Sequence, residues 1–323
     1  RGQSGHRLMR VPSALFALGL ALALPAAAQK LDVKVEPRRI SERAWYVQGD
    51  AGSASRANQA YNSNAGFVVT DEGVVVIDAL GSPALGQALL DAIRRVTPKP
   101  VRRVIVTHYH ADHFYGLKAF KDAGAEVWAH GGARDYLAGG VADLRRAQRA
   151  RDLSPWVTES TPLVPADRWL EGDAEFTMGG VRFEIQHFGP AHSPEDLVVV
   201  VPTEGVVFSG DILFTGRIPY VGEADSRAWL ARIGRLIQLK PKLLVTGHGE
   251  VSRDPARDLA LTRDYLTFLR GEMGRAVENF VPFEEAYHAT DWKRYSTLPA
   301  FEAANRVNAY GTYLLMEKEA LKK

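Results

Sequence analysis

The chain has no cysteine, and its charges nearly balance. Without cysteine, disulfide bonds and thiolate metal ligands are excluded, so any metal ion must be held by nitrogen and oxygen atoms. Its 40 basic residues face 38 acidic ones, which gives a formal net charge of +2 at pH 7. This balance gives no sign of a polyanionic partner, so we expect the chain to bind no nucleic acid.

The sequence also lacks an apolar run long enough to span a bilayer comfortably. Its longest apolar segment, residues 11–24, has signal-peptide length and follows Arg7 and Arg10. The small residues at 25–28 then resemble a cleavage site. We therefore predict that residues 1–28 comprise a signal peptide with a few upstream residues. The mature protein would be periplasmic or secreted by a bacterium, with no stable membrane anchor.

A dense cluster of metal-ligand residues is the most informative feature that is present. Six consecutive residues include His108, His110, Asp112 and His113, one residue after the apolar run 104–106. In extended backbone, residues two apart point the same way, so His108 and His110 share a face at a strand exit. The aspartate and the last histidine fall where a helix begins and point elsewhere. This spacing predicts that one short segment supplies ligands to two neighbouring metal ions.

Three further candidate ligands stand alone, each at the end of a strand-like run. They are His192, Asp211 and His248, and each lies in a loop that also contains glycine. Ligands on such loops converge if their strands share one sheet edge, and glycine allows the backbone to approach an ion closely. As a set with the first cluster, they strengthen the prediction of a metal site.

Strand-like and helix-like segments alternate along the mature chain, which predicts an α/β fold with two sheets sandwiched between helices. After residue 254 the pattern becomes mainly helical. We predict a catalytic domain at residues 29–252, and a helical extension at residues 253–323 that packs on the same domain.

The order of these motifs resembles the metallo-β-lactamase superfamily. The resemblance covers residues 30–251, where H-x-H-x-D-H is followed by the three isolated ligands in the family's order. It implies a four-layer αβ/βα sandwich with a metal site at one edge. It also implies a ligand assignment: His108, His110 and His192 for one metal, Asp112, His113 and His248 for the second, and Asp211 as the bridge.

Local motifs indicate which branches of the superfamily the chain resembles. Many true metallo-β-lactamases have cysteine where Asp211 stands, and they place a lysine where this chain has Phe214. Asp211 instead looks like the bridging aspartate of glyoxalase II and related hydrolases. Segments 62–73 and 210–220 are similar to exported zinc metallohydrolases that are associated with sulfur oxidation and quinoprotein systems.

The resemblance implies a zinc-dependent hydrolase with two Zn²⁺ ions, although iron or manganese is compatible with the same ligands. A metal-bridging hydroxide would attack the carbonyl of a small-molecule ester, thioester, lactone or lactam. Asp112 would be the catalytic residue that orients the water and shuttles a proton. Two alternatives stay open at this point, namely β-lactamase activity and a mononuclear iron oxidoreductase similar to the persulfide dioxygenases.

Four residues outside the ligand set are further candidates. Asp78 follows a strand, and the resemblance implies that it braces the histidine loop by hydrogen bonds, with a turn-capping aspartate as the alternative. Asn64, Arg217 and Tyr220 are candidates for substrate binding, with ordinary loop packing as the alternative for each. The polar segment 51–63 is a candidate flap over the site.

Overall fold

The computed structural model describes residue 2 and residues 30–322 of the chain. The predicted signal peptide at residues 1–28 lies almost entirely outside this part. Within the described residues, each helix is too short or too polar to traverse a lipid bilayer.

The first sheet has seven strands in sequential order. Its first four strands pair antiparallel, and the remaining pairs are parallel. The bounds are β1 Arg38–Arg39, β2 Ala44–Val47, β3 Ala65–Val69, β4 Val74–Ile77, β5 Val101–Ile105, β6 Glu126–His130 and β7 Arg168–Leu170. All four residues of β4 are buried, as expected for a central strand that is covered on both faces.

The second sheet has five strands in the order β12-β11-β10-β9-β8. Only the β11–β12 pair is parallel. The bounds are β8 Ala174–Met178, β9 Val181–His187, β10 Leu197–Val201, β11 Val206–Phe208 and β12 Leu243–Val245. These strands form the second of the two predicted sheets.

The helices cover the outer faces of the two sheets. Their bounds are α1 Pro83–Val96, α2 Ala111–Phe114, α3 Leu117–Asp122, α4 Ala133–Ala138, α5 Val141–Leu153, α6 Ser226–Gln238, α7 Pro255–Glu278, α8 Phe283–Ala289 and α9 Phe301–Ala320. Helix α1 begins after Ser82, whose side chain accepts a hydrogen bond from the backbone of Leu85.

Two helical stretches are divided by glycine. The stretch over residues 111–122 breaks at Gly116, where an added Cβ would lie 1.9 Å from the carbonyl oxygen of Ala79. The stretch over residues 133–153 breaks before Gly140, which has a φ of 77°. In both places the chain needs a close approach or a left-handed backbone that a continuous helix does not supply.

Three apolar cores hold the layers together. One lies between the sheets and contains Phe183 and Phe208. The second joins the first sheet to α1, and the third joins the second sheet to the C-terminal helices through residues such as Tyr265 on α7. The α/β sandwich with additional C-terminal helices is therefore confirmed, whereas the domain boundaries at residues 28 and 252 stay predictions.

Candidate metal centre

All seven candidate ligands meet at one edge of the sandwich. The segment 108–113 follows β5, and the other three ligands follow β9, β11 and β12, so each leaves the carboxyl end of a strand. The ligand atoms form two groups, and within each group the atoms lie within 4.8 Å of one another. The groups are His108, His110, His192 and Asp211, and then Asp112, His113 and His248.

In the first group, three imidazole nitrogens face a common point. The Nδ1 atom of His110 lies 3.1 Å from Nε2 of His108 and 2.8 Å from Nε2 of His192. Oδ2 of Asp211 lies 3.3 Å from Nε2 of His192. Nitrogen ligands at ~2.0–2.1 Å around a tetrahedral zinc ion would be roughly 3.4 Å apart. The three histidines are therefore close to the separation that a shared ion requires.

Asp211 also lies close to the ligand atoms of the second group. Oδ2 of Asp112 lies 3.4 Å from Nε2 of His248 and 3.9 Å from Nε2 of His113. Asp211 places Oδ1 3.3 Å from Nε2 of His113 and Oδ2 3.4 Å from Nε2 of His248. One carboxylate thus contacts both groups, as a bridging ligand would.

Two buried polar atoms test whether these residues fit a metal. Nε2 of His113 and Oδ1 of Asp211 are buried and make no hydrogen bond within the described residues. A buried polar atom without a partner costs about 1–3 kcal/mol, so natural proteins rarely leave one unsatisfied. Because both atoms point at the same centre and both are metal ligands by type, the donor set fits a divalent cation.

Four of the five histidines have their Nδ1 atom occupied, which leaves Nε2 for a metal. Each Nδ1–H donates to a fixed oxygen, which selects the tautomer that a metal ligand needs. The acceptors are Thr107 Oγ1 for His108, Asp78 Oδ2 for His113, the Tyr220 carbonyl for His192 and the Asn62 carbonyl for His248. His110 differs, because its Nδ1 faces the centre.

Burial keeps three histidines of the first group neutral. Burial lowers the pKa of His110 to about 3 and that of His192 to about 4. The pKa of His108 also lies well below its usual value, because of burial and then of the neighbouring His113. Neutral imidazole is the form that binds a metal, so these side chains are ready to act as ligands at neutral pH.

The carboxylates stay ionised in spite of burial. Burial alone would raise the pKa of Asp112 and Asp211, but the adjacent histidines hold both below the usual range. Burial would likewise lower the pKa of His113, yet Asp211 and Asp78 raise it well above its ordinary value. The site therefore concentrates negative charge where a cation would neutralise it.

Asp78 lies behind the histidine segment, and its contacts are those that the predicted bracing role requires. Its Oδ1 accepts from the backbone of Thr107 at 2.8 Å, and its Oδ2 accepts from the Thr107 hydroxyl at 2.9 Å and from Nδ1 of His113 at 2.8 Å. Asp78 has a φ of 63°, a left-handed backbone that Asp and Asn tolerate better than most residues. Its contribution to metal binding stays a prediction.

Sequence reasoning missed Asn62, which contacts ligands of the second group. Its Nδ2 donates to Oδ2 of Asp112 at 2.9 Å, and its carbonyl accepts from His248 at 2.7 Å. Its own Oδ1 is buried without a partner among the described residues. The only signal in the sequence is the polar triplet 62–64 just before a strand, and no spacing rule links it to ligands that lie 50 and 186 residues away.

The three predicted substrate-binding residues have different surroundings. Asn64 uses its amide to join three backbone groups, those of Gly49, Thr246 and Gly249. Arg217 is only 3 % exposed, and its Nη1 lies 3.3 Å from Nδ1 of His248. Tyr220 is half-buried, and its ring lies edge-on to His110 with centroids 6.3 Å apart. Arg217 and Tyr220 thus adjoin the metal ligands, while Asn64 ties loops together; binding of substrate by any of them stays a prediction.

The candidate flap is tied to the rest of the molecule at several points. The Arg217 guanidinium donates to the carbonyl of Gly52, and Arg56 donates to two carbonyls at the end of α5. Ser63 donates to the carbonyl of Asp112. These contacts place the segment 51–63 beside the metal ligands; movement over the site stays a prediction.

Comparison with known proteins agrees with this arrangement. The family model of the metallo-beta-lactamase superfamily matches residues 59–248, a span that includes all seven candidate ligands. The chain is 28 % identical over 215 residues to the probable metallo-hydrolase YqgX of Bacillus subtilis, covering 65 % of this chain and 93 % of that protein. It is 23 % identical over 245 residues to a linear primary-alkylsulfatase of Pseudomonas sp., covering 65 % and 46 %.

Solved structures show the same fold. A metallo-beta-lactamase from Pontibacter korlensis superposes with a TM-score of 0.54 at 23 % identity, covering 72 % of this chain and 99 % of that one. At this identity the likeness concerns the fold alone. The chain spans about half the length of the alkylsulfatase that it matches, so that protein's activity does not transfer directly.

Proposed function

The chain belongs to the metallo-beta-lactamase superfamily and is a metal-dependent hydrolase, and we propose that it is an exported enzyme that holds two zinc ions and hydrolyses a carbonyl substrate. The substrate would be an ester, thioester, lactone or lactam. The observation that carries the proposal is the position of Asp211, whose two oxygens lie 3.3–3.4 Å from ligand atoms of both groups. A carboxylate shared in this way fits a two-metal centre.

Zinc ions held by these residues would lower the pKa of bound water and polarise a substrate carbonyl. The protein's own contribution begins with Asp112, which is the more accessible acid. Its side chain is 16 % exposed, whereas that of Asp211 is 4 % exposed. Asp112 is ionised and its Oδ2 is fixed by Asn62, so it is suited to accept a proton and release it to a leaving group.

The donor set also bears on the alternatives. Histidine and aspartate suit zinc well, and iron or manganese accept the same ligands. A mononuclear iron oxidoreductase is not favoured, because it would leave Asp112, His113 and His248 gathered with no ion to hold. β-Lactamase activity is a candidate within the same chemistry, since lactams are carbonyl substrates.

Elemental analysis and a substrate screen test the proposal. We expect two zinc ions per chain, and hydrolysis of at least one member of a panel of aryl esters, thioesters, lactones and nitrocefin. The activity should disappear after chelation and return with Zn²⁺. One iron per chain with consumption of O₂ would contradict the proposal. Hydrolysis of alkyl sulfates alone would retain the metal centre and refute the carbonyl substrate.

Export is a separate part of the proposal. The charged and apolar pattern of residues 1–28 supports it, as does the similarity of segments 62–73 and 210–220 to the exported zinc metallohydrolases of sulfur oxidation and quinoprotein systems. Expression of the full chain in a Gram-negative bacterium should yield a periplasmic protein that begins at Gln29. An unprocessed chain in the cytoplasm would refute export without affecting the metal centre.

A further inference from the structure

The C-terminal helix α9 contacts the metal-site loops through Asn308. This side chain is fully buried, and its amide holds the segment 219–222. Its Oδ1 accepts from the backbone of Val221 at 2.7 Å and of Gly222 at 3.2 Å. Its Nδ2 donates to the carbonyl of Pro219 at 2.8 Å and to the hydroxyl of Tyr265 at 3.0 Å. All hydrogen-bonding positions of the amide are occupied, three of them by this segment.

Segment 219–222 contains the carbonyl oxygen that orients the candidate metal ligand His192. The carbonyl of Tyr220 accepts from Nδ1 of His192 at 3.0 Å. Pro219 lies on one side of this carbonyl and Val221 on the other, and Asn308 binds both neighbours. Because the acceptor carbonyl is fixed from both sides, the plane of the His192 ring and its tautomer are fixed with it.

The segment has few backbone partners of its own. It lies between Phe214 and α6 without regular secondary structure, and Gly222 has a φ of 49°. A second contact from α9 supports it, because Gly311 packs so closely that an added Cβ would lie 1.8 Å from the carbonyl oxygen of Gly222. Side chains and backbone of α9 therefore supply the order that the segment does not provide itself.

We propose that Asn308 is a positioning residue for the metal centre, through which the C-terminal helix sets the orientation of His192. The inference rests on the proposed metal site. It assigns a role to the C-terminal helices beyond burying apolar surface on the second sheet. Loss of the amide should loosen the Tyr220 carbonyl and weaken the first ligand group, while the second group, which has other supports, keeps its affinity.

The test is a stepwise Zn²⁺ titration of metal-free protein against a chromophoric chelator. In Asn308→Ala, we expect one binding step to weaken by about tenfold, the lower end of the effect seen when a partner of a metal ligand is removed. The other step should match the unaltered protein. The ¹H–¹⁵N spectrum of the histidine rings should also lose the slowly exchanging Nδ1–H signal of His192.

One matched control lies in the same buried network but does not touch segment 219–222. Asn305 is on the same helix and is 1 % exposed, and within the described residues its side chain bonds only to the hydroxyls of Tyr265 and Tyr287. Asn305→Ala should reduce thermal stability and leave both Zn²⁺ steps unchanged. If Asn305→Ala weakens Zn²⁺ binding as much as Asn308→Ala, the effect is general destabilisation and the inference is wrong.

A second variant perturbs segment 219–222 through its contact with Gly311. Gly311→Ala should displace Gly222 and weaken the same Zn²⁺ step, which keeps the inference testable if Asn308→Ala does not fold. Equal affinities in the unaltered protein, Asn308→Ala and Gly311→Ala would overturn the inference while leaving the metal centre intact. Failure of the unaltered protein to bind Zn²⁺ would instead refute the proposed function.

Discussion

The metal centre is built from two kinds of region, one local and one dispersed. The segment 108–113 provides four ligands within six residues, and Asp78 on the adjacent strand connection braces it. The other three ligands come from three loops. The rings of His192 and His248 are each oriented by a backbone carbonyl from another part of the chain. A local motif brings its ligands together by backbone spacing, whereas dispersed ligands depend on the packing of the whole fold.

The two regions meet at Asp211, so its removal should have the largest effect. In Asp211→Ala, both groups lose a shared carboxylate, and the charge that balances the cations is reduced. We expect metal affinity to fall by more than ~100-fold, because removal of an outer partner alone costs 10–100-fold. Elemental analysis after gel filtration measures this.

Asp122→Ala provides the control, because Asp122 is an exposed acid whose only salt bridge within the described residues is with Lys118 in α3. It should retain metal and activity. If Asp211→Ala keeps two zinc ions per chain, then Asp211 does not bridge the two groups and the two-metal proposal loses its main support.

The difference between the two regions also explains what sequence could predict. The cluster 108–113 identifies a metal site unaided, because its spacing alone brings ligands together. The other three ligands can be assigned only from the order of the motifs and from the family resemblance. The structure places all three, His192, Asp211 and His248, beside the cluster. The sheets and most helices follow from local pattern, but the breaks at Gly116 and Gly140 depend on tertiary contacts or on backbone conformation.

The local region should be sensitive to Asp78→Asn. An asparagine tolerates the positive φ of this position, so a change in metal affinity would not come from backbone strain. Its amide cannot accept from the Thr107 backbone and from Nδ1 of His113 at once, because one of its two ends is a donor. If His113 gives up its Nδ1 proton to suit the new donor, it carries the proton on Nε2 and cannot bind metal.

We therefore expect Asp78→Asn to weaken metal binding by about 10–100-fold, as measured by chelator competition. Asp91→Asn, on the exposed face of α1, is the matched control. Unchanged affinity in Asp78→Asn would show that backbone spacing alone orders the histidine segment.

A pair of asparagines separates catalysis from stability. Asn62→Ala removes the amide that fixes Asp112, and we expect kcat to fall by about tenfold with little change in thermal stability. Asn64→Ala should do the reverse. It leaves buried backbone groups of Gly49, Thr246 and Gly249 without this partner, and each group that stays unpaired lowers the free energy of unfolding by about 1–3 kcal/mol.

Steady-state kinetics and thermal unfolding of both variants measure this contrast. A loss of kcat in Asn64→Ala as large as that in Asn62→Ala, at a temperature where both are folded, would contradict it. Sequence alone could not have separated the two residues, since they are two positions apart in one polar triplet and differ only in which distant loops they reach.

The last contrast is in how the stability of the metal-free protein depends on pH, where the two regions differ in sign. His110 and His192 have pKa values of about 3 and 4, so between pH 4 and their unfolded value near 6.5 the unfolded chain binds protons that the native state does not. Stability should therefore be lost as pH falls through this window. His113 acts oppositely, because its raised pKa gives stability that is present below pH ~6.5 and lost as pH rises above it.

Thermal unfolding with EDTA between pH 4 and 8 measures both contributions. His192→Leu, in the dispersed region, should make the acid-side loss shallower, whereas His113→Leu, in the local segment, should change the slope on the alkaline side. The two regions thus leave opposite signatures in one measurement, because burial dominates at His192 while the surrounding carboxylates dominate at His113. An unfolding temperature that does not fall between pH 6.5 and 4 would mean that these histidines are not held neutral in the folded chain.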